Sequence, residues 1–168
     1  AIKDKTYAAT YGDLTYEVRN DGTIIITDCD ENASGALTIP DTIDGKKVTS
    51  IGYSAFYECS SLTSITIPDG VTSIGNNAFY GCSKLTNITI PDSVTSIGEN
   101  AFWHCSSLMS INVSDNNKNY SSIDGVLFNK DKTEIIKYPV KKKETSYDIP
   151  NSVTSIGNGA FYECSSLT

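Results

Sequence analysis

The sequence predicts a β-rich α/β solenoid, in which short units stack on one another and parallel strands form a sheet along the stack. Three observations support this prediction. A unit of 23 residues recurs, each unit joins a strand pattern to a turn of helix, and no unit is large enough to bury its own apolar face. Stacked neighbours would bury these faces in one continuous core.

The repeat is clearest between positions 62 and 107. Residues 62–84 read LTSITIPDGVTSIGNNAFYGCSK and residues 85–107 read LTNITIPDSVTSIGENAFWHCSS. The same phrase recurs at 48–61 and at 149–168. It places two residue types in fixed registers: Phe56, Phe79, Phe102 and Phe161, and Cys59, Cys82, Cys105 and Cys164. The last two units lie 59 residues apart, which predicts one long insertion in the array.

Each unit divides into three parts. In residues 62–67, Ile65 and Ile67 alternate with polar residues, as in a half-buried strand, and Pro68 ends it. A second extended stretch follows up to Gly75. A short helix is then predicted, because the apolar residues recur at helical spacing. Its apolar face would contain Ala78, Phe79, Cys82 and Leu85.

Residues 62–82 and 85–105 match the phrase L-x-x-I-x-I-P-x-x-V-x-x-I-G-x-x-A-F-x-x-C. They resemble the leucine-rich repeats of the BspA-like, Treponema pallidum type, and the resemblance covers about residues 37–168. It implies a right-handed leucine-rich-repeat solenoid. It also implies a secreted or surface protein of a bacterium or protist, since the family's members are commonly adhesins or interaction modules. The motif is specific for the fold and says little about the ligand.

Two departures from the repeat define the domain organisation. We expect residues 1–36 to form an N-terminal β-hairpin cap, because alternating apolar residues flank a turn at Asn20-Asp21-Gly22. Residues 37–168 would form the solenoid. Within it, residues 114–146 are predicted to be an irregular hairpin insertion.

The insertion is predicted to contain two strands, at 124–128 and 134–139, around a turn at 129–133. Residues 136–139 keep the strand-then-proline form and are interpreted as a degenerate rung.

Composition excludes several classes of function. A formal net charge of −7 over 168 residues argues against a general nucleic-acid binder, which needs a basic surface for phosphates. The sequence contains no run of about 18 apolar residues and therefore predicts no transmembrane segment. The opening residues Ala1-Ile2-Lys3-Asp4 do not resemble a signal peptide, although one could have been removed. Residues 166–168 repeat the opening of another rung, so we expect an open C-terminal end that is able to self-associate.

Charge is unevenly distributed along the chain. Between 114 and 145 seven lysines face five acids, a net of +2, so the rest of the chain carries −9. One interpretation is a contact site for an anionic partner. The alternative is a lysine-rich edge that prevents strand pairing with other molecules. The candidate residues are Lys130, Lys132, Lys137, Lys141, Lys142 and Lys143.

Two further surfaces are candidate binding sites. The strand residues that face away from the core would form a hydroxyl and amide lattice: Thr63, Ser64, Thr66, Thr86, Asn87, Thr89, Ser110 and Asn112. A second aromatic follows each core phenylalanine: Tyr57, Tyr80, Trp103 and Tyr162. Such a ladder of rings could stack on sugars or anchor a protein. The alternative is that the rings pack on one another.

The cysteines are interpreted as core thiols rather than disulfides, because four of them share one inward register where Cys acts as a small hydrophobe. His104 precedes Cys105, but adjacent residues point different ways, so we expect a surface histidine. Asp115-x-Asn117-x-Asn119 resembles half a calcium loop and lacks the later ligands. We therefore predict no catalytic residue, no metal site and no cofactor.

The regular repeat without a catalytic or metal motif predicts a non-enzymatic interaction module, and the family resemblance implies that it is an extracellular or cell-surface protein-interaction and adhesion module. One alternative is a carbohydrate-binding or accessory module of a secreted polysaccharide-degrading system. Another is a structural spacer without a ligand of its own. The identity of the protein or glycan partner stays open, because repeat folds present different ligand sites on one scaffold.

Overall fold

The computed structural model describes residues 8–168. These residues form fifteen strands, and no helix long and apolar enough to cross a membrane occurs among them. The strands are β1 (Ala9–Tyr11), β2 (Leu14–Val18), β3 (Ile24–Cys29), β4 (Ser34–Thr38), β5 (Thr42–Ile43), β6 (Lys46–Ile51), β7 (Ser61–Thr66), β8 (Ser73–Ile74), β9 (Asn87–Ile90), β10 (Ser96–Ile97), β11 (Ser110–Val113), β12 (Tyr120–Ile123), β13 (Val126–Asn129), β14 (Glu134–Lys137) and β15 (Ser155–Ile156).

The strands form three sheets, which confirm the predicted β-rich solenoid. Sheet 1 runs β1-β2-β3-β6-β8-β10, with β5 paired to β6. Sheet 2 runs β11-β9-β7-β4 and is entirely parallel. Sheet 3 runs β12-β13-β14-β15 and joins the insertion to the end of the array. We number the regular rungs first (35–61), second (62–84), third (85–107) and last (149–168).

The register of the strands follows the 23-residue period. Ser50 pairs with Ser73, which pairs with Ser96, and Ile88 pairs with Ile111. The hydroxyls of Ser50 and Ser73 lie 2.8 Å apart and share a hydrogen bond. Each side chain therefore meets its own counterpart in the next rung, which explains why the repeat units are so similar in sequence.

The prediction of a short helix in each unit is wrong, because the segment after each Ile-Gly consists of successive turns. In the first rung the amide of Tyr57 donates to the Ser54 carbonyl at 3.0 Å, an i to i+3 bond. Other amides donate to the neighbouring rung: the amide of Phe56 donates to the Ala78 carbonyl of the second rung at 2.7 Å. Left-handed residues end each turn before a helix can form. They occupy two registers, Ser54, Asn77, Asn100 and Gly159, and Glu58, Gly81, His104 and Glu163.

The core of the first three rungs is a stack of phenylalanine rings flanked by cysteines. Ring centroids are 5.4 Å apart for Phe56 and Phe79 and 5.6 Å apart for Phe79 and Phe102. The Cys82 thiol donates to the Phe56 carbonyl at 3.2 Å, and the Cys105 thiol donates to the Phe79 carbonyl at 3.1 Å. All five cysteines are free, which confirms the prediction of thiols, and all but the last are fully buried.

The N-terminal hairpin is present as predicted. Strands β2 and β3 are antiparallel and joined through a turn closed by the Arg19 amide on the Thr23 carbonyl at 2.8 Å. Strand β3 then pairs in parallel with β6, so the hairpin extends sheet 1 beyond the first rung. Strand β1 adds a third antiparallel member that the alternation pattern did not reveal.

The insertion is a three-stranded meander rather than one hairpin. The predicted pair around 129–133 is present as β13 and β14. The preceding strand β12 pairs with β13 through a two-residue turn at Asp124 and Gly125, both at positive φ. Asp-Gly is a strong hairpin signal, so these two residues form a turn and do not begin the strand predicted at 124–128.

The degenerate rung also exists, in a different register from the expected one. Strand β14 pairs in parallel with β15, so Ile135 lies opposite Ile156, in the second extended stretch of the last rung. The prediction had placed this segment at the first strand of a unit, the one that ends at a proline. Tyr138 takes the phenylalanine position: its ring lies 5.4 Å from Phe161, and its amide donates to the Ala160 carbonyl at 2.8 Å. The insertion thus supplies a shortened rung, with a separate small core beneath it.

Candidate functional site

The eight predicted lattice residues lie on or beside the strands of sheet 2. Thr66, Thr89 and Asn112 form one exposed row across β7, β9 and β11. Ser64, Asn87 and Ser110 form a second row, in which each residue pairs with the next. The remaining two, Thr63 and Thr86, occupy the position just before the second row.

Hydrogen bonds fix part of this lattice. The Ser110 hydroxyl donates to the side-chain oxygen Oδ1 of Asn87 at 2.6 Å, and the side-chain amide of Asn112 donates to the Ser110 hydroxyl at 3.4 Å. The side-chain amide of Asn87 donates to the Thr86 hydroxyl at 3.1 Å. The lattice is therefore ordered before any partner arrives, which lowers the entropic cost of binding to it.

The four aromatic residues pack on one another in two pairs. Tyr57 and Tyr80 stack with ring centroids 4.9 Å apart, and Trp103 and Tyr162 stack at 4.3 Å. His104 lies edge-on between the pairs, 5.2 Å from Tyr80 and 5.7 Å from Tyr162. Stacking thus covers one face of each ring, while Tyr57 and Tyr162 remain 41% and 40% exposed.

Trp103 reaches across the insertion to the last rung. Its partner Tyr162 lies 59 positions later, whereas Tyr57 and Tyr80 are successive repeats. A Cβ placed on Gly159 would lie 2.3 Å from Cζ3 of the indole, so the ring packs directly on this glycine. The third and last rungs are thereby joined on the aromatic side although the insertion separates them in sequence.

Sheet 1 ends at the third rung. The next strand along the solenoid, β14, does not pair with β10. The amide of Ile97 in β10 donates instead to the Tyr120 hydroxyl of the insertion at 2.8 Å. Tyr120 thus satisfies a strand edge that would otherwise be open, and a gap remains between the third rung and sheet 3.

This gap is a cleft of about 490 Å³. Its walls come from residues between 95 and 103 of the third rung, from Asn119, Tyr120 and 129–137 of the insertion, and from 157–159 of the last rung. Among these residues, only Trp103 and Lys137 were predicted from the sequence to contact a ligand. A usable signal was the pair of departures from the repeat, tryptophan at a tyrosine register and Gly159 at a serine or asparagine register.

The candidate lysines occupy different environments. Lys137 is buried and donates to the Gly159 carbonyl at 3.3 Å, so its place in a surface patch was wrong. Burial lowers the pKa of its ammonium. Lys142 donates to the Asp124 carbonyl at 2.7 Å and forms an ion pair with Glu144 at 3.6 Å. The others are exposed or half-buried: Lys130, Lys132, Lys141 and Lys143.

His104 and Cys105 do not form a nucleophile and base pair. The imidazole Nδ1 lies 3.2 Å from the Glu163 carboxylate at the surface, while the Cys105 thiol bonds a carbonyl in the core. Burial raises the pKa of Cys105 to about 12, so the thiol stays protonated at neutral pH.

Asn117, the central residue of the calcium-like motif, is buried and holds the start of the insertion. Its side-chain amide donates to the carbonyls of Pro91 and Val94 at 2.8 and 3.0 Å. Its side-chain oxygen accepts from the amides of Asn119 and Tyr120 at 2.8 and 2.9 Å. Asn117 therefore anchors the loop from a buried position, and its side-chain oxygen binds backbone amides rather than an ion.

A solenoid of 23-residue rungs with a short parallel strand in each defines a leucine-rich-repeat protein. The profile described as BspA type leucine rich repeat region matches residues 35–144 and 140–168, with six copies of the repeat. The chain therefore belongs to the BspA-type leucine-rich-repeat family. None of the curated protein sequences matches it significantly.

Solved structures of bacterial leucine-rich-repeat proteins are similar to this chain. The Treponema pallidum protein TpLRR is 32% identical with a TM-score of 0.65, and the match covers 96% of this chain and 70% of that one. A protein from Bacteroides ovatus is 34% identical with a TM-score of 0.69, over 96% and 40% of the two chains. A protein from Bacteroides capillosus is 26% identical with a TM-score of 0.58, over 89% and 96%.

Proposed function

We propose that this chain is a non-enzymatic protein-interaction and adhesion module, and that it binds its partner through the exposed face of sheet 2. The observation that carries this proposal is the ordered lattice of hydroxyl and amide groups on that face. Three parallel strands hold these groups in rows, and hydrogen bonds fix several of them before binding. A rigid, flat, polar surface suits a protein partner better than a small molecule, which binds in concave sites.

The test compares two threonines of the second rung. Thr66 lies on the proposed face, and Thr72 is also exposed but lies near sheet 1, on the other side of the rung. Binding would be measured against an array of extracellular matrix and epithelial surface proteins. Thr66→Arg should weaken capture about tenfold, because a long charged side chain disrupts a flat interface. Thr72→Arg should leave capture unchanged; equal losses in both variants, or no capture at all, would count against the proposal.

We place the protein outside the cell, at the surface of a bacterium or secreted from it. The family supports this location, since the repeats resemble those of surface adhesins. Antibody labelling of intact cells, compared with permeabilised cells, measures it directly. Labelling only after permeabilisation would contradict an extracellular role.

The exposed insertion lysines are proposed as a secondary contact for an anionic protein surface. Lys130, Lys141 and Lys143 are free of the internal bonds that hold Lys137 and Lys142. If they contribute, partner binding should weaken with salt, and a triple substitution to Gln should remove most of that salt dependence.

Self-association through the last rung is a further proposal. Ile149 and Ile156 are 44% and 56% exposed there, whereas Ile74, at the register of Ile156, is 2% exposed in the second rung. Sedimentation velocity over a range of concentrations would detect a dimer. The proposal expects Ile156→Lys to abolish the concentration dependence.

Carbohydrate binding is a second candidate function, in the setting of a secreted polysaccharide-degrading system. The paired aromatic column is a weaker surface for it, because stacking already covers one face of each ring. The observation in its favour is the cleft beside Trp103, which combines an aromatic wall with polar side chains.

A further inference from the structure

We infer that the cleft between the third rung and the insertion binds a small neutral saccharide. This inference rests on the second candidate function and is independent of sheet 2. The cleft is where the solenoid is interrupted, and its volume of about 490 Å³ falls within the range of small-molecule sites.

The first argument concerns the open edge of the third rung. In the second rung the amides of Asn77 and Phe79 donate to carbonyls of the third rung at 2.9 Å. Asn100 and Phe102 occupy the same registers one rung later and line the cleft, and neither amide has a hydrogen-bond acceptor among residues 8–168. Both amides are therefore free to donate at the cleft, so this edge can bind an occupant that supplies oxygen atoms.

The second argument concerns the polar side chains around the cleft. Within the described part of the chain, the side chains of Glu99, Asn100, Glu134 and Asn158 make no hydrogen bonds. The Tyr120 hydroxyl accepts from the Ile97 amide and keeps its own proton for donation. Amides and carboxylates can each bind two neighbouring hydroxyl groups, which a sugar ring presents along its edge.

The third argument concerns charge. The charged groups at the cleft are two carboxylates, Glu99 and Glu134, and one ammonium, Lys137. Their formal sum is −1, which disfavours a sulfated or uronic acid-rich glycan. The Lys137 ammonium donates to the Gly159 carbonyl and retains further protons for ligand hydroxyls.

The fourth argument concerns the aromatic wall. Trp103 is half-buried at the cleft and cannot rotate freely, because it stacks on Tyr162 and packs against Gly159. An apolar surface fixed in this way suits the carbon-bound hydrogens of a sugar ring. Because it is already ordered, little entropy is lost on binding.

The experiment uses the fluorescence of Trp103, which is the only tryptophan in the chain. The protein is titrated with maltose, cellobiose, lactose and N,N′-diacetylchitobiose up to about 10 mM, which detects millimolar dissociation constants. At least one disaccharide should shift or quench the emission in a saturable way. Absence of any saturable change with all four would overturn the inference.

Two matched variants localise the binding. Asn100 and Asn77 share a register and a φ of 56°, but only Asn100 lines the cleft. Serine is compatible with this register, because Ser54 occupies it in the first rung. Asn100→Ser should weaken saccharide binding about fivefold, the equivalent of one hydrogen bond, and Asn77→Ser should not change it. Equal effects of the two variants would contradict a site in the cleft.

Two further arms separate this inference from its competitors. Tighter binding of a heparin disaccharide or of a peptide than of every neutral sugar would overturn the choice of ligand. Thr66→Arg on sheet 2 should leave saccharide binding intact, and Asn100→Ser should leave protein capture intact. The cleft and sheet 2 can therefore fail separately.

Discussion

The indole of Trp103 occupies the space that a side chain at Gly159 would need, with 2.3 Å between Cζ3 and an added Cβ. Both residues depart from the repeat. The other rungs have tyrosine at the first register, and Ser54, Asn77 or Asn100 at the second. The two departures complement each other, and together they join the third and last rungs across the insertion while forming one wall of the cleft.

Gly159→Ala should therefore destabilise the protein. The added methyl overlaps the Trp103 ring, and the φ of 67° is strained for any residue with a Cβ. We expect the free energy of unfolding to fall by about 2–4 kcal/mol, overpacking and backbone strain together. Urea denaturation followed by circular dichroism measures the change.

Gly45→Ala is the matched control, because Gly45 has a φ of 72° and no atom within 4 Å of an added Cβ. It should show only the backbone cost of about 1 kcal/mol. In a Trp103→Ala background, Gly159→Ala should cost no more than Gly45→Ala does, because the overlap with the ring is then absent. Equal losses for the two glycine variants would show that the ring is not tightly packed there.

Asn117→Ala should be among the most damaging polar substitutions. It removes the side-chain donor from the carbonyls of Pro91 and Val94, of which only Pro91 keeps another donor, the Val94 amide at 3.2 Å. It also removes the side-chain oxygen that accepts from the amides of Asn119 and Tyr120. We expect a loss of about 3 kcal/mol or more in thermal or urea unfolding. The substitution should also make Tyr120 more mobile and so weaken the hydrogen bond that the Ile97 amide donates to the Tyr120 hydroxyl.

The control for this substitution is the exposed neighbour Asn116, whose side chain makes no hydrogen bond within residues 8–168. Asn116→Ala should change stability by less than about 0.5 kcal/mol. Similar losses in both variants would mean that the loop is anchored by its backbone rather than by Asn117.

The repeat made most of the fold predictable, because each residue packs on its own counterpart. The pairing of Ser50 with Ser73 follows from the period alone. The helix prediction failed because apolar residues three apart occur equally in successive turns, and Ser54 and Glu58 adopt positive φ without being glycine. The cleft was not predictable from the repeat, since Tyr120 and Glu134 reach it only through the long-range folding of the insertion.

Thiol reactivity should distinguish the last cysteine from the others. Cys29, Cys59, Cys82 and Cys105 are buried, whereas Cys164 is half-buried. In the native protein only Cys164 should react within minutes with a thiol reagent such as DTNB, and all five should react after unfolding in urea. Cys164→Ser should abolish the rapid native reaction; a second rapid thiol in that variant would contradict the buried ladder.

Alkaline pH should weaken the fold through the buried thiols. Burial raises the pKa of Cys105 from 9.0 to about 12, so the folded protein holds a proton that the unfolded chain releases. This contribution is complete below about pH 9 and is lost as the pH rises toward 12, by about 1.4 kcal/mol per pH unit for each such thiol. Urea unfolding across this range should show a shallower decline for Cys105→Ala than for the unaltered protein, although the variant is less stable at neutral pH. Parallel declines in the two proteins would assign the alkaline loss to other groups, such as the buried Tyr138, whose pKa burial also raises.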